Sequence, residues 1–236
     1  MNDFSHNMVF ENLSIGYGKG KNSHKICQGL EGKLCTGSLT VLMGRNGIGK
    51  STFLRTLAGF IKPIEGKIFI DGVECGTLSR KDMARRVAVV LTGIVETDFL
   101  TVGEVVAMGR QPHTRFSGML NDTDKTICRE ALKSVNATHL ERCTFGHLSD
   151  GEKQRVMIAK ALAQDTPFIL LDEPTAFLDY PSKLETMQLL RELAHEKYKS
   201  ILLSCHDIDL ATKHADVLWL MKNNHIEFLP PKNFAL

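Results

Sequence analysis

No run of about 18 or more apolar residues, the least that a membrane-spanning helix needs, occurs in this chain of 236 residues. The opening Met1-Asn2-Asp3-Phe4-Ser5-His6 lacks the basic and then apolar stretch of a secretion signal, so a cytoplasmic chain is expected. A dominant charge is missing too: 29 Lys plus Arg against 27 Asp plus Glu leave +2, too little to mark nucleic acid or an anionic membrane as the main partner. Cys27, Cys35, Cys75, Cys128, Cys143 and Cys205 form no C-x-x-C pair, which disfavours both zinc and a disulfide framework. They read as reduced thiols, most of them core filler. Internal repeats, low-complexity tracts and Pro/Gly/Ser linkers are absent, so one compact unit is expected. The chain ends soon after Phe228, and no regulatory domain is expected to follow.

What is present is a change of pattern along the chain. Met8 to Ile15, Lys25 to Leu34 and Leu39 to Met43 are short strand candidates separated by turn-forming glycines, and they suggest an antiparallel edge. After Lys50 helix and strand alternate: Ser51 to Phe60, Lys67 to Asp71, Ser79 to Arg86, then the apolar run Val87 to Leu91. Such alternation implies a parallel sheet with crossovers. Val102, Val105, Val106 and Met108, then Ile127, Leu132 and Val135, recur at helical spacing, so the stretch from Thr101 to about Leu140 reads as a helical insertion. Strands at Phe168 to Leu171, Ile201 to Ser204 and Val217 to Met221 resume the parallel pattern, with helices at Pro181 to Lys197 and Asp207 to Lys213. The expected fold is α/β with a helical lobe: a core of about residues 1–92 and 150–236, and a lobe of about 93–149.

Gly44-Arg45-Asn46-Gly47-Ile48-Gly49-Lys50-Ser51-Thr52 matches G-x-x-x-x-G-K-[ST] between an apolar strand and a helix, the setting a phosphate-binding loop requires. Its glycines let successive backbone N–H groups turn inward around phosphates, and the helix N-terminus adds a dipole that favours anions. Lys50 is placed for the β- and γ-phosphates of ATP, Ser51 for Mg²⁺ and Thr52 for the α-phosphate. A glycine-rich turn that merely opens a helix would explain the glycines but not the Lys50-Ser51 pair. Phe168-Ile169-Leu170-Leu171-Asp172-Glu173 is an apolar strand ending in two acids, which at the carboxyl end of a parallel strand face the ligand crevice. Asp172 suits Mg²⁺ held through its water shell, and Glu173 suits the polarisation of an attacking water.

Leu148-Ser149-Asp150-Gly151-Glu152-Lys153-Gln154-Arg155 narrows the field, because it resembles the signature motif, usually L-S-G-G-Q, of the ABC ATPases. With Asp172-Glu173-Pro174-Thr175, Phe177-Leu178-Asp179 and Ser204-Cys205-His206-Asp207, the chain resembles that family over nearly its whole length. The resemblance implies a P-loop NTPase fold with a mostly parallel core sheet, an antiparallel β edge and a small helical subdomain. It implies that Tyr17 stacks on adenine, that Ser149 and Gly151 donate to the γ-phosphate bound by the opposite subunit, that His206 bonds that phosphate, and that Asp179 ties two sites together across a homodimer. Without the resemblance, Ser149-x-x-Glu152 ahead of an apolar run is already a helix capping box.

Two departures stand out. Asp150 replaces the usual glycine and Glu152 the usual glutamine, adding negative charge near a docking γ-phosphate, so weaker ATP-driven dimerisation is expected unless Lys153 or Arg155 compensates. Thr92 follows Val89-Val90-Leu91 where the family has a glutamine that touches Mg²⁺ and senses the membrane subunit. Thr101-Val102-x-Glu104-Val105-Val106-x-Met108-Gly109-Arg110-x-Pro112-His113, preceded by Ala84 to Ala88, is similar to the ATPase subunits of bacterial importers of iron-siderophores, haem and cobalamin. That implies a peripheral subunit on the cytoplasmic face of the inner membrane, serving a permease and a substrate-binding protein. Phe99, Leu100 and Met108 are its candidate permease contacts, or else core of the lobe itself. An exporter ATPase is the nearest alternative. A soluble ABC ATPase of DNA repair or translation would need a long coiled coil, a second cassette or a basic face, none of which is visible; a non-hydrolysing regulatory cassette is opposed by Lys50, Glu173 and His206.

Overall fold

The structure is a computed structural model that describes residues 6–18, 23–91, 99–114, 118–222 and 224–229. The described residues form the strands β1 (Asn7–Tyr17), β2 (His24–Cys35), β3 (Leu39–Met43), β4 (Glu65–Ile70), β5 (Val73–Glu74), β6 (Val87–Val90), β7 (Phe168–Leu171), β8 (Ser200–Ser204), β9 (Val217–Lys222) and β10 (His225–Leu229). They also form the α-helices α1 (Lys50–Leu57), α2 (Arg80–Ala84), α3 (Val102–Ala107), α4 (Asp122–Ser134), α5 (Asp150–Ala163), α6 (Tyr180–Glu196) and α7 (Ile208–His214). The strands form a six-stranded sheet in the order β10-β9-β3-β8-β7-β6, parallel except for β10, and a four-stranded antiparallel sheet in the order β2-β1-β4-β5.

Side-chain alternation explains how the large sheet is held. Every residue of β3, β7 and β8 is buried, as expected for parallel strands covered on both faces. Val41, Met43, Ile169, Leu171, Ile201, Leu203 and Leu218 point to one apolar cluster, which α5, α6 and α7 cover and which continues into α3 and α4. Leu42, Phe168, Leu170, Leu202, Trp219 and Met221 point to the opposite cluster, shared with α1 and the antiparallel sheet. There Phe10 meets Phe53 and Trp219 edge-on, at ring separations of 5.3 and 5.8 Å, as aromatic quadrupoles favour.

Two expectations about pairing are corrected. Leu39 to Met43 lies not in the antiparallel edge but at the centre of the parallel sheet, between β8 and β9. The strand near Lys67 joins the antiparallel sheet against β1, its outer half left solvent-exposed as a one-faced strand allows. The strands β5 and β10 were not anticipated. The cysteines are all unpaired; Cys27, Cys128 and Cys205 are buried and Cys75 packs partly buried against the core, while Cys35 and Cys143 are exposed. Among the described residues no helix is long and apolar enough to cross a membrane.

Candidate active site

The glycine-rich loop leaves the carboxyl end of β3 and delivers the chain into α1. Gly47 has φ 76° and Gly49 φ 109°, values that side-chain-bearing residues rarely adopt, and a Cβ on Gly49 would stand 2.6 Å from Ile26 Cγ2. The loop therefore needs glycine at both places to curl under β2. Lys50, buried at 5% exposure, bends back so that Nζ donates to the carbonyls of Gly44 (2.9 Å) and Arg45 (3.2 Å). Burial pulls its ammonium below the ordinary lysine range, and the negative charges of Glu173 and Asp172 partly offset this.

The acids arrive from the neighbouring strands. Asp172 directly follows β7 and is buried; its Oδ1 accepts from Ser51 Oγ at 3.0 Å and from Ser204 Oγ, at the end of β8, at 2.9 Å. Ser204 Oγ in turn accepts from the backbone N–H of Glu173 at 2.8 Å. One hydroxyl thus fixes both acids and links β7 to β8, a role that sequence reasoning did not give Ser204. Glu173 has φ 48°, the left-handed region, and its Oε1 is hydrogen-bonded to His206 Nε2, which extends from the loop after β8. The loop residues, Asp172, Glu173 and His206 therefore converge at the carboxyl ends of β3, β7 and β8. Tyr17 joins them from the end of β1: its ring is half-exposed and its hydroxyl lies 3.1 Å from Thr52 Oγ1.

Ser149, Gly151 and Asp179 lie apart; none shares a hydrogen bond or ion pair with residues 44–52 among the described residues. Ser149 caps α5 in a reciprocal box: its Oγ accepts from the Glu152 backbone N–H at 3.4 Å, and Glu152 Oε2 accepts from the Ser149 backbone N–H at 2.9 Å and from Ser149 Oγ at 2.7 Å. These bonds hold the Glu152 carboxyl below its ordinary range. Gly151 faces Ser182 of α6, so that a Cβ there would lie 3.4 Å from Ser182 Oγ. Asp179 caps α6 by accepting from Ser182 N–H at 3.0 Å, and Ser182 holds its carboxyl low. Arg155, one candidate to offset the charges of Asp150 and Glu152, is paired instead with Glu185 at 3.2 Å. Thr92 lies outside the described residues.

A phosphate loop between the first strand of a parallel core and a helix, facing an acid-ended strand beside it, defines a P-loop NTPase. Comparison with known proteins refines the class. Residues 27–176 match the family model described as ABC transporter. An uncharacterized ABC transporter ATP-binding protein of Methanocaldococcus jannaschii, MJ0873, is 43% identical over 92% of this chain and 73% of its own length. The ferric enterobactin transport ATP-binding protein FepC of Escherichia coli is 34% identical over 92% of this chain and 78% of its own. The dimeric structure of MJ0796, described as a bacterial ABC transporter cassette, superposes with TM-score 0.80 at 26% identity, covering 96% of this chain and all of that one. The chain belongs to the ABC transporter family and is one of its ATP-binding, ATP-hydrolysing cassettes.

Proposed function

We propose that this cassette powers import through a separate permease at the inner face of a bacterial membrane, with an iron-siderophore or a related chelate such as cobalamin as cargo. The relatives that support the cargo are named for iron(3+)-hydroxamate import in Bacillus subtilis, at 36% identity, and for ferric enterobactin transport, at 34%. The working unit is a head-to-tail homodimer in which the phosphate loop of one subunit and the signature of the other enclose each ATP. A substrate-binding protein delivers the cargo. The core comprises about residues 1–92 and 150–236 and the lobe about 93–149; Phe99, 97% exposed at the start of the lobe, offers its ring to a permease.

The observation that carries the reading is the Glu173–His206 pair set beside a buried lysine and a serine–aspartate latch. Lys50 exchanges the carbonyls of Gly44 and Arg45 for the β- and γ-phosphate oxygens, while the backbone N–H groups of residues 44–52 bind the remaining phosphate charge. Tyr17 offers its ring to adenine and releases Thr52 to the α-phosphate. Glu173 accepts the proton of the water whose oxygen bonds to the γ-phosphorus as the bond to ADP breaks, and His206 holds the γ-phosphate in line. Ser51 Oγ and Asp172 Oδ1 are hard oxygens 3.0 Å apart and suit Mg²⁺, Asp172 through its water shell, and the family resemblance assigns Thr92 to the same ion. When bound, that ion would supply positive charge to the phosphate oxygens. Ser149, Gly151 and Asp179 act on the partner's site: closure of the dimer pulls on the permease, and hydrolysis releases it.

Steady-state ATP turnover of the purified chain beside Glu173→Gln and His206→Ala tests the assignment. Losses of about 10²-fold or more in both variants, with nucleotide affinity kept, are expected. Equal turnover in all three proteins would overturn it.

A further inference from the structure

Two charged residues that the ATP chemistry leaves unused lie on the two surfaces that a head-to-tail dimer brings together. Arg45, second residue of the phosphate loop, is exposed, and its guanidinium makes no hydrogen bond or ion pair with the described residues; its carbonyl accepts from Lys50 Nζ and the Ile48 N–H. Asp150, first residue of α5 beside Ser149, is exposed as well, and its carboxylate has no such partner either.

The position of Asp150 favours a negative charge locally, because the first turn of a helix presents the positive end of its dipole. The same carboxylate becomes costly once the signature closes over a γ-phosphate, since like charges at a few ångströms repel strongly where water is excluded. Among the described residues, no cation of its own helix is paired with it. Arg155 is bound to Glu185, and Lys153, one turn along, makes no ion pair with Asp150. Arg45, unpaired among the described residues, offers a neutralising charge from the opposing loop.

We propose that Arg45 of each subunit pairs with the partner's Asp150 when ATP closes the dimer, so that a charge pair selects a second copy of this chain as the partner and stabilises the closed state. The pair rests on the dimer reading above, and two-fold symmetry places it twice in each closed dimer. A carboxylate that lowers ATP-driven closure when considered alone raises it when met by Arg45. The contact is electrostatic, so closure weakens as salt screens it.

The test follows ATP-driven dimerisation of the full chain by analytical ultracentrifugation in the Glu173→Gln background, with the ATP concentration for half-maximal dimer as the readout. Arg45→Ala, which leaves Asp150 unneutralised beside the γ-phosphate, is expected to raise it about fivefold, Asp150→Ala less, and the double variant no more than Arg45→Ala. The exchange of Arg45→Asp with Asp150→Arg is expected to bring it well below the value of either reversal alone, which are the worst variants. A lowered ATP requirement in Asp150→Ala, or independent losses that multiply in the double variant, would overturn the pair. So would an equal effect of Arg45→Ala on nucleotide affinity in dilute, monomeric protein, which would assign Arg45 to ATP itself. Thermal melts of every variant separate these outcomes from misfolding. Absence of any ATP-driven dimer in the parent overturns the pair together with the reading it rests on, whereas a normal dimer with independent effects overturns the pair alone.

Discussion

Glu173 occupies a backbone conformation that a glutamate resists: at φ 48° its Cβ crowds the neighbouring carbonyl, at a cost of about 1–2 kcal/mol. The turn is held because its N–H reaches Ser204 Oγ and its carboxylate reaches His206. Glu173→Gly is therefore expected to raise stability by up to about 1 kcal/mol in denaturant titration while turnover disappears; a clear loss of stability would show that the contacts outweigh the strain. Ser204→Ala has the opposite character. It leaves the Glu173 N–H without its acceptor and a buried Asp172 oxygen short of one donor, so a loss of about 1–3 kcal/mol is expected in the same titration, together with slower hydrolysis. The two residues also mark the limit of sequence reading. Lys50, Asp172 and Glu173 are legible because their chemistry sits in contiguous motifs on a strand end, but the Ser204 bridge joins residues from adjacent parallel strands, a pairing that no local pattern encodes.

At the scale of elements, α5 carries the signature on a cap that was legible in the spacing of Ser149 and Glu152. Its worth is accessible through Ser149→Ala, which is expected to cost about 1 kcal/mol by thermal or chemical unfolding; no change would mean that the box is dispensable. Because the Glu152 carboxyl is held below its ordinary value, the stabilisation it gives is complete above that value and lost as pH falls through the lowered one. Helices long enough to show periodicity, α4, α5 and α6, and the fully buried strands β3, β7 and β8 all fall near the segments read from the pattern. The weaker elements explain the errors. The strand β5 is only Val73 and Glu74, too short for any alternation to register. The strand β4 takes its place from pairing with β1, some sixty residues earlier, so its sequence alone reads as one more step of a parallel alternation.

The whole molecule depends on how the α3–α4 layer is joined to the sheet. Arg110, buried after α3, donates to Asp124 Oδ1 at 2.9 Å and to the Ala163 carbonyl at 2.8 Å, while Gln164 donates to the carbonyls of Ala84 and Val87 at 2.6 and 3.0 Å. Both ties meet at the C-terminal end of α5, the helix whose N-terminus is the signature. Arg110→Ala leaves Asp124 buried and unpaired, and a loss of about 3–5 kcal/mol is expected; replacing both by apolar residues of similar volume should recover most of it. Burial pushes the Asp124 carboxyl up, but hydrogen bonds from Arg110 and Asn121 hold it below the usual range overall. Its share of stability is thus present above the ordinary carboxylate value and lost as pH falls through the lowered one, and that acid limb should vanish in the doubly apolar variant. The account's central claim, that this cassette hydrolyses ATP in a site completed by a second copy of itself, is tested most directly by sedimentation of Glu173→Gln with and without ATP and Mg²⁺. The account predicts a monomer that becomes a dimer only with ATP; a chain that binds ATP yet sediments as a monomer at every concentration would contradict it.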